Sequence, residues 1–526
     1  NTKEKYDIDS ENKLPILKEI HSKAIQTNKK RPTNILIEGD NYHALSILNY
    51  THEKKIDVIY IDPPYNTGAK DWKYNNNYVD EEDGYRHSKW LSFMKKRLRL
   101  AKKLLKKNGI LICAIDDNEF GSLGLLLDQI FPNKIKNTVI IVSNPHGVSR
   151  NGFSRNHEYA IFLLNKGQTI NKRSAPEDNR EINLRRSGNN SLRADSPTMF
   201  YPIFIDKKTK MIIGGGEVPE VDFHPNKRII EKPNSYEIWP IDDHNIEKNW
   251  YYSKKRVNET GQKELFCKSV KGKLNVYFHH SNNSEQKYNS VWTDKKYDAG
   301  AYGSTLIKNI VGIQFPFPKS LHTMLDCLKA VIPNKDSIIL DFFAGSGTTA
   351  HAVLQLNKED NGNRKFILCT NNENNICTEV CYPRVKKVIS GYKNLKEEKI
   401  EGLGGNLKYF KTDFVDGEPT DKNKKNLVDQ CTEMLCLKED CFDELKQTKN
   451  YSVFKNHEEK YFGIVYDDDG IEHLKKQIKS TGKKFNVYVF SLDDSAREEE
   501  FEDVRDMVDL QPIPEVMLNV YRRISK

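Results

Sequence analysis

A short run of β-branched and aromatic residues, Val58-Ile59-Tyr60-Ile61, is the feature that most constrains the fold of this chain. A strand that is apolar on both faces is typical of a parallel sheet covered by helices on either side. The run stops at Asp62-Pro63-Pro64-Tyr65, so this loop lies at the carboxyl end of the predicted strand. In open α/β sheets, ligands bind at that edge. The sequence therefore predicts an α/β protein with a functional loop at residues 62–65.

The groups in this loop are suited to holding a planar amino group. Such a nitrogen is a poor nucleophile while its lone pair is delocalised into an aromatic ring. The carboxylate of Asp62 and the carbonyl of Pro63 can accept its two N–H groups, and the fixed φ angles of Pro63 and Pro64 stiffen the loop. Tyr65 offers an aromatic face on which a base can stack. The alternative is a proline-stiffened turn with a solvated aspartate.

A second loop follows a predicted strand at residues 337–343. Gly345 and Gly347 allow the backbone to approach a ligand closely, and the helical pattern from Ala350 offers unpaired N–H groups near its start. The spacing Gly345-x-Gly347-x-x-Ala350 also satisfies the dinucleotide fingerprint, so an NAD-dependent oxidoreductase is an alternative. No Gly-Lys-Ser/Thr sequence follows, and a nucleotide-hydrolysing P-loop is therefore not supported.

Together, the two loops resemble those of the amino-group DNA methyltransferases that use S-adenosylmethionine. In that family a Phe-x-Gly-x-Gly loop binds the cofactor and an Asp-Pro-Pro-Tyr loop holds the target amine. The corresponding segments here are residues 343–347 and 62–65. Their order, with the catalytic loop first, is similar to the β class, and within it the chain resembles the modification (Mod) subunits of type III restriction systems. Further stretches that share the resemblance are residues 36–41, 156–159, 315–319 and 512–515.

The resemblance implies roles for individual residues. The implied catalytic residues are Asp62, Pro63, Pro64 and Tyr65, and the implied cofactor-binding residues are Asp40, Lys319, Asp341, Phe342, Phe343, Gly345, Gly347, Thr348 and, at the ribose, Glu373. S-adenosylmethionine is the implied cofactor, and displacement at its sulfonium needs no metal. The Asp-Pro-Pro-Tyr form favours adenine N6 as the target, with cytosine N4 as the alternative. Because the amine is buried in a duplex, its base must be extruded before transfer.

The resemblance also implies the fold, a Rossmann-like α/β structure with a seven-stranded methyltransferase sheet and a circularly permuted motif order. We expect an N-terminal arm at residues 1–30 and the half with the catalytic loop at 31–167. An inserted target-recognition domain is expected at 168–312, and the half with the cofactor loop at 313–395. Residues 396–526 are expected to form a linker and a small α+β domain.

The formal charge of +9 suits a polyanionic partner, and double-stranded DNA is the partner we expect. A lysine-rich, well-solvated surface would give the same excess of charge. Arginine side chains can clamp phosphates or contact guanine edges. The candidate DNA contacts are Arg150, Arg155, Arg185, Arg186 and Arg193.

Other sequence features bear on location and assembly. No apolar run approaches the roughly 18 residues of a membrane span, so we expect a cytoplasmic protein without membrane contact. The nine cysteines lack paired metal-binding spacings, which predicts reduced thiols and no metal site. Acidic residues near Glu499 favour a protein contact for the C-terminal domain, with a second copy or a helicase-nuclease restriction subunit. A noncatalytic DNA-binding specificity subunit is a further alternative.

Overall fold

Two units make up the chain in a computed structural model, which describes residues 13–66, 86–147, 152–174, 180–270, 272–280, 285–315, 317–492 and 495–525. The larger unit contains Asn1–Asn171 and Tyr288–Lys526, and the smaller unit contains Lys172–Lys287. The smaller unit is therefore an insertion in the sequence of the larger one.

The first part of the larger unit alternates strands with helices. Its elements are β1 (Lys13–Glu19), a 3-10 turn (His21–Lys23), β2 (Ile25–Gln26), β3 (Thr33–Glu38), α1 (Asn41–Thr51), β4 (Ile56–Ile61), α2 (Arg86–Leu104), β5 (Leu105–Ile115), α3 (Phe120–Ile130), β6 (Lys134–Ile141) and β7 (Glu158–Asn165). Every residue of β4 is buried, as its β-branched and aromatic composition predicts. The buried residues of α2 include Trp90, Met94 and Leu98, which recur at helical spacing and cover one face of the sheet.

The smaller unit consists of short strands and one helix. Its elements are β8 (Lys172–Ser174), β9 (Arg180–Asn183), 3-10 turns at Arg193–Asp195 and Pro197–Met199, β10 (Ile203–Asp206), β11 (Ile212–Gly215), β12 (Ile229–Glu231), β13 (Ser235–Ile238), α4 (Lys254–Glu264), β14 (Leu265–Val270), β15 (Lys273–His280) and β16 (Glu285–Lys287). The strands form a sheet in the order β11-β10-β13-β12, a sheet in the order β14-β15-β9, and the pair β16-β8. Trp250, Tyr201 and Phe278 are buried together, so the unit has a hydrophobic core of its own.

After the insertion the chain returns to the larger unit. Its elements there are β17 (Val291–Trp292), a 3-10 turn (Lys295–Tyr297), a π-helical turn (Gly300–Ser304), α5 (Thr305–Val311), α6 (Leu321–Val331), β18 (Ile338–Asp341), α7 (Thr348–Asp360), β19 (Lys365–Thr370), a 3-10 turn (Glu373–Asn375), a π-helical turn (Ile376–Cys381), α8 (Tyr382–Ser390), β20 (Tyr392–Lys393), β21 (Lys399–Ile400) and β22 (Asn406–Asp416). The strand, glycine turn and helix predicted from residue 337 onward are β18, its following loop and α7.

The C-terminal part is the α+β arrangement that the sequence predicts. Its elements are α9 (Asp421–Asp429), α10 (Thr432–Glu439), β23 (Asp443–Gln447), β24 (Tyr451–Lys455), β25 (Tyr461–Val465), a 3-10 turn (Asp468–Gly470), α11 (Ile471–Thr481), β26 (Phe485–Phe490), a 3-10 segment (Glu498–Met507), β27 (Val508–Ile513) and α12 (Glu515–Ser525). Its five strands form one sheet in chain order. This region packs on the rest of the larger unit, since the Tyr521 hydroxyl of α12 donates to the Pro15 carbonyl of β1 at 2.6 Å.

The main sheet of the described residues has eleven strands, and its seven central strands run in the order β3-β19-β18-β4-β5-β7-β6, in agreement with the predicted seven-stranded fold. Neighbouring strands from β3 to β5 are parallel, and β7 is antiparallel to both β5 and β6. Strands β22, β1 and β2 extend the sheet beyond β3, and β17 extends it beyond β6. Parallel order puts the carboxyl ends of β3, β19, β18 and β4 at one edge.

Hydrophobic clusters cover both faces of this sheet. In β4, Ile59 and Ile61 pack with residues of α1, α2 and α3, whereas Val58 and Tyr60 pack with residues of α6, α7 and α8. Successive side chains of a strand point to opposite faces, so a stretch of strand covered on both faces favours apolar residues at successive positions, as at 58–61. This double covering accounts for the apolar run in the sequence.

Three predicted boundaries differ from the structure. The predicted arm contains β1 and the predicted linker contains β22, because these strands pair with each other and β22 pairs in parallel with β3. Residues 288–312, predicted to belong to the insertion, lie in the larger unit, because β17 pairs with β6 and Trp292 is buried. Each difference comes from pairing between segments distant in sequence, which local patterns do not reveal.

We expect the Phe410→Ala variant to lose about 3–5 kcal/mol of unfolding free energy, because Phe410 in β22 is fully buried in the first cluster. Urea denaturation followed by circular dichroism measures the loss. The matched control is Lys411→Ala at the next position, whose side chain is largely exposed and whose change should stay within about 0.5 kcal/mol. Equally small losses in both variants would contradict a structural role for β22.

Candidate active site

The strands that carry the two predicted loops are neighbours in the main sheet. Ile339 of β18 pairs in parallel with Val58 of β4. Because neighbouring parallel strands end at the same edge, the loop after Ile61 and the loop after Asp341 begin side by side. The fold therefore brings together two motifs that the inserted unit separates in the sequence.

Trp90 and Glu119 hold the Asp62-Pro63-Pro64-Tyr65 loop and the residue after it. The indole Nε1 of Trp90 in α2 donates to the Pro64 carbonyl at 2.8 Å. Asn66 adopts a φ of +56°, and its Nδ2 donates to Oε1 of buried Glu119 at 2.6 Å. A left-handed backbone at a residue other than glycine persists where the surrounding structure imposes it. These two bonds therefore help to fix the loop.

Asp62 and Tyr65 belong to a buried cluster of charged groups. The Tyr65 hydroxyl donates to Asp62 Oδ1 at 2.7 Å. Lys319 Nζ lies 3.1 Å from Asp62 Oδ1 and 2.8 Å from Glu158 Oε2. Burial lowers the pKa of Lys319, but the charges of the two carboxylates outweigh burial and raise the pKa above its usual value. Lys319 is therefore a cation held between Asp62 and Glu158.

Lys319 contacts Tyr65 directly, a contact that the sequence does not predict. Lys319, predicted as a cofactor contact, lies against the catalytic loop, with its Nζ 2.5 Å from the Tyr65 hydroxyl oxygen and 4.7 Å from the ring centroid. Burial, together with the charges of Asp62 and Glu158, raises the pKa of Tyr65 well above its usual value. The phenol is thus a permanent donor to Asp62, and the cofactor role of Lys319 stays a prediction.

Asp341, the last residue of β18, anchors the glycine loop. Its Oδ1 accepts from the Phe343 N–H at 3.0 Å, and its Oδ2 accepts from the Thr349 hydroxyl at 2.5 Å. Burial raises the pKa of Asp341 to about 7, the two hydrogen bonds act in the opposite direction, and the charge of Asp62 raises it further. Phe342, between these anchors, is fully buried. The start of the loop is therefore tied to both β18 and α7.

Two glycines and a buried arginine shape the turn itself. Gly345 and Gly347 have φ angles of +51° and +77°, which favour glycine. A Cβ at position 347 would also stand 3.2 Å from Cys381 Sγ, closer than ordinary contact. Arg384 of α8 is fully buried and donates to Thr348 Oγ1 at 2.8 Å. Burial lowers its pKa to about 10, so the guanidinium stays charged beneath the start of α7.

Asp40 and Asn41 join the start of α1 to the glycine loop. Asp40 caps α1, because its Oδ1 accepts from the Tyr42 N–H at 2.7 Å. Asn41 Nδ2 donates to the Phe342 carbonyl at 2.9 Å. Arg97 Nη2 donates to Asp40 Oδ2 at 3.2 Å. Asp40 therefore lies at the sheet edge that carries the glycine loop.

Glu373, the residue predicted to hold a ribose, is exposed in the 3-10 turn that follows β19. Since β19 is the neighbour of β18 in the sheet, this turn begins at the same edge as the glycine loop. The ribose role of Glu373 stays a prediction.

Of the arginines predicted to contact DNA, Arg150 lies outside the described residues. Arg155, in the larger unit, has its Nε 3.2 Å from Asp117 Oδ2. Arg186, in the smaller unit, lies over the ring of the partly exposed Tyr251, with its guanidinium carbon 5.3 Å from the centroid. Arg186 and Tyr251 therefore place a positive charge and an aromatic ring side by side on the smaller unit, and contact of Arg186 with DNA stays a prediction.

The other two arginines are bonded within the smaller unit. Arg185 Nη1 donates to the Ile241 carbonyl at 2.6 Å. Arg193 Nη1 donates to Glu247 Oε2 at 3.1 Å, and this guanidinium is mostly buried. These bonds support the fold of the unit, and contact of Arg185 and Arg193 with DNA stays a prediction.

Sequence reasoning missed four residues that contact the two loops: Trp90, Glu119, Glu158 and Arg384. Glu158 had a signal, because it lies in the stretch 156–159 that contributes to the family resemblance. Trp90 recurs with Met94 and Leu98 at the spacing of a buried helix face, but that spacing does not show where the indole N–H points. Burial of Glu119 and Arg384 is unusual for charged residues and appears only in the folded chain.

Comparison with known proteins shows the family of the chain. The family model N6_N4_Mtase, described as a DNA methylase, matches residues 56–380, which is more than half of the chain and includes both loops. The chain belongs to this family of DNA methylases. Membership decides the reaction class in favour of methylation over nicotinamide-dependent oxidation. The family model covers methylases of both N6 and N4 amino groups, so membership does not decide between adenine and cytosine as the target base.

Curated relatives of the methylase include type II and type III proteins. Type II methyltransferase M.KpnI of Klebsiella pneumoniae is 32% identical over 72% of this chain and 88% of its own length. The EcoPI Mod subunit of Escherichia phage P1 is 30% identical over 66% of this chain and 59% of its own length. The StyLTI Mod subunit of Salmonella typhimurium is 29% identical over 65% and 53%. The methylase thus spans little more than half of these type III subunits.

Two further predictions concern the whole chain. Each helix in the described part of the methylase is too short or too polar to span a bilayer. All nine cysteines are free, as the prediction of reduced thiols requires, and eight of them are buried, where they pack as small apolar side chains.

We expect Asp341→Asn to change how stability depends on pH. The pKa of Asp341 is about 7 in the folded protein against an ordinary 3.8, so folding binds a proton between these values. The contribution of this group is fully present below about pH 4 and is lost as the pH rises to about 7. Urea unfolding at pH 5, 6, 7 and 8 should show a decline in the wild type that the variant lacks. A constant difference between the two proteins would contradict this assignment.

We expect Trp90→Phe to lower the methylation rate about tenfold, because it removes the indole donor that holds the Pro64 carbonyl. The matched control is Trp292→Phe, since Trp292 is also buried and its indole also donates to a backbone carbonyl, that of Asn289, at 2.8 Å. Methylation rates are measured after circular dichroism shows that both variants are folded. A loss seen only in Trp90→Phe then reports on the position of the loop, whereas a loss in both reports on packing in general. Equal losses in the two variants would count against a role for the Pro64 bond.

Proposed function

We propose that the methylase transfers a methyl group from S-adenosylmethionine to N6 of adenine in double-stranded DNA. The observation that carries this proposal is the side-by-side position of Asp62 after β4 and the glycine loop after β18. Direct displacement requires the attacking nitrogen and the methyl carbon to come within about 3–3.5 Å. An amine-holding loop beside a cofactor loop meets that requirement.

The glycine loop fits the chemistry of S-adenosylmethionine. Unpaired N–H groups at the start of α7 suit its carboxylate, and the oxygens of Asp40 and Asp341 suit its ammonium and hydroxyl groups. When bound, this cofactor supplies an electrophilic methyl group whose carbon–sulfur electron pair stays on sulfur. The further contacts that we propose are Phe342, Phe343, Gly345, Gly347, Thr348, Lys319 and Glu373.

Asp62 and Pro63 are proposed to hold the target amine. Asp62 accepts one N–H and takes the proton that leaves the nitrogen after transfer. The Pro63 carbonyl is supported as the second acceptor because the Pro64 carbonyl already accepts from Trp90. With both N–H groups bound, the nitrogen lone pair can point away from the ring, and Tyr65 borders the base.

Adenine is the proposed base because the loop begins with aspartate, a tendency of adenine enzymes in this family. Cytosine N4 is the second candidate, since the matching family model includes both targets. Either base must leave the duplex, at a cost of a few kcal/mol that contacts to the DNA backbone offset. The net charge of +9 and the Arg186 and Tyr251 pair support such contacts.

We further propose that the methylase is the modification and specificity subunit of a type III-like restriction system. Its likeness to the EcoPI and StyLTI Mod subunits supports this role. The smaller unit, residues 172–287, is the proposed target-recognition domain. A second copy of the chain and a helicase-nuclease restriction subunit are the proposed protein partners, and the cytoplasm is the proposed location.

Incubation with methyl-labelled S-adenosylmethionine and unmethylated genomic DNA tests the proposal. Nucleoside mass spectrometry should find labelled N6-methyladenine, and sequencing that detects modified bases should place it at one recurring motif. Labelled N4-methylcytosine would keep the reaction and overturn the target. Absence of any labelled nucleoside would overturn the proposal.

We expect Asp62→Ala to abolish methylation, because the variant lacks the carboxylate that holds the amine and accepts its proton. Binding of S-adenosylmethionine, measured by calorimetry, should change little. The matched control is Asp128→Ala on α3, an exposed aspartate paired with Lys136, which should keep full activity. Full turnover by Asp62→Ala would exclude the mechanism.

A further inference from the structure

Glu158 has no role in the reaction just proposed, and the cofactor contact proposed for Lys319 does not explain why both residues lie at the catalytic loop. Glu158 is the first residue of β7, and Lys319 lies in the segment just before α6. Both residues are buried, and their charged groups are 2.8 Å apart. Burying two charges costs free energy that their attraction only partly offsets. A pair that the fold keeps beside Asp62 at this cost suggests a functional role.

The pair contacts both functional side chains of the catalytic loop. Lys319 Nζ lies 3.1 Å from Asp62 Oδ1 and 2.5 Å from the Tyr65 hydroxyl oxygen. The Tyr65 hydroxyl also lies 3.2 Å from Glu158 Oε2. Both contacts to Asp62 end on Oδ1, and no hydrogen bond from the described residues reaches Oδ2. The carboxylate of Asp62 is therefore oriented with one oxygen bound and the other available to an N–H group.

The charges in this cluster match the charge that the reaction develops. Asp62 and Glu158 each contribute −1 and Lys319 contributes +1, so the sum is −1. A target nitrogen that forms a bond to the methyl carbon becomes positive until one of its N–H bonds breaks and the proton passes to Asp62. Fixed charges of opposite sign stabilise such a transient charge, and a neutral cluster would do so less.

We propose that Glu158 and Lys319 are positioning residues for methylation. Lys319 holds Oδ1 of Asp62 so that Oδ2 accepts the target N–H, and Glu158 preserves the net negative charge that Lys319 would otherwise cancel. This assignment rests on the proposed methylation of an exocyclic amine.

Loss of Lys319 should make the pair of Asp62 and Glu158 harder to ionise fully. Without the ammonium, Asp62 and Glu158 are two close acids, and the second of them ionises only at higher pH. Other titratable groups that face this cluster are Tyr60, Tyr65, Cys327 and Asp341. These groups are the same in every variant below, so differences between variants report on the pair.

The test compares Lys319→Met, Glu158→Gln and the double variant, with kcat and KM for DNA measured from pH 5 to 9. We expect Lys319→Met to lower kcat roughly 100-fold and to move the acid limb of its pH profile upward by about one unit or more. Glu158→Gln should lower kcat about tenfold without an upward shift. KM for DNA should change less than kcat in both. Lys319→Arg, which keeps the charge, should restore part of the activity.

The double variant is the sharpest comparison, because its single carboxylate again gives a net charge of −1. It should return the acid limb to the wild-type position and exceed Lys319→Met in kcat. An unshifted acid limb in Lys319→Met, or a double variant no better than Lys319→Met, would overturn the proposal.

Thermal melting from pH 4 to 8 is a readout that needs neither cofactor nor DNA. Lys319→Met should lose melting temperature more steeply than the double variant as the pH rises, because only the single variant holds two unneutralised carboxylates. Parallel melting curves would overturn the charge assignment.

If the wild type forms no methylated nucleoside, the proposed function fails and melting still tests the pair. If the wild type methylates DNA and the variants match it, only the role of the pair fails.

Discussion

The parallel pairing of β4 with β18 is the constraint on which the candidate active site depends. One strand ends at Ile61, immediately before Asp62, and the other ends at Asp341, with the whole inserted unit between them in the sequence. Their common edge results from burial of apolar side chains on both faces of the sheet, at about 1.5–3 kcal/mol for each fully buried aliphatic residue. Hydrophobic packing of the core thus places the loop at residues 62–65 beside the glycine loop.

Within that frame, bonds from neighbouring elements restrict each loop. Helix α2 binds the Pro64 carbonyl through Trp90, and Glu119 binds Asn66. On the other side, Asn41 and Arg384 bind the glycine loop at Phe342 and Thr348. Groups that are ordered before the substrate arrives lose less entropy when it binds, so such restriction favours fast transfer.

Buried ionisable groups are concentrated around these two loops. Lys319 lies between two carboxylates, Asp341 has a pKa raised to about 7, and Arg384 is fully buried under the start of α7. Each such group costs free energy to bury, and shifted pKa values of this kind cluster at functional sites. The buried charges around these loops therefore lower the stability of the larger unit locally, at the place where we propose that they act on the reaction.

The sequence by itself determined the local elements and the chemistry of the two loops. The apolar run at residues 58–61, the helical spacing around Trp90 and the glycines at 345 and 347 are local signals, because strand, helix and turn preferences act over a few residues. The resemblance added the expectation of a seven-stranded central sheet with a circularly permuted motif order. Only the tertiary structure decided that β1 and β22 extend the sheet, that β17 returns to it, and that Lys319 lies between Asp62 and Glu158. These contacts join segments far apart in the chain, and their partners are selected by burial of the folded whole rather than by any local pattern.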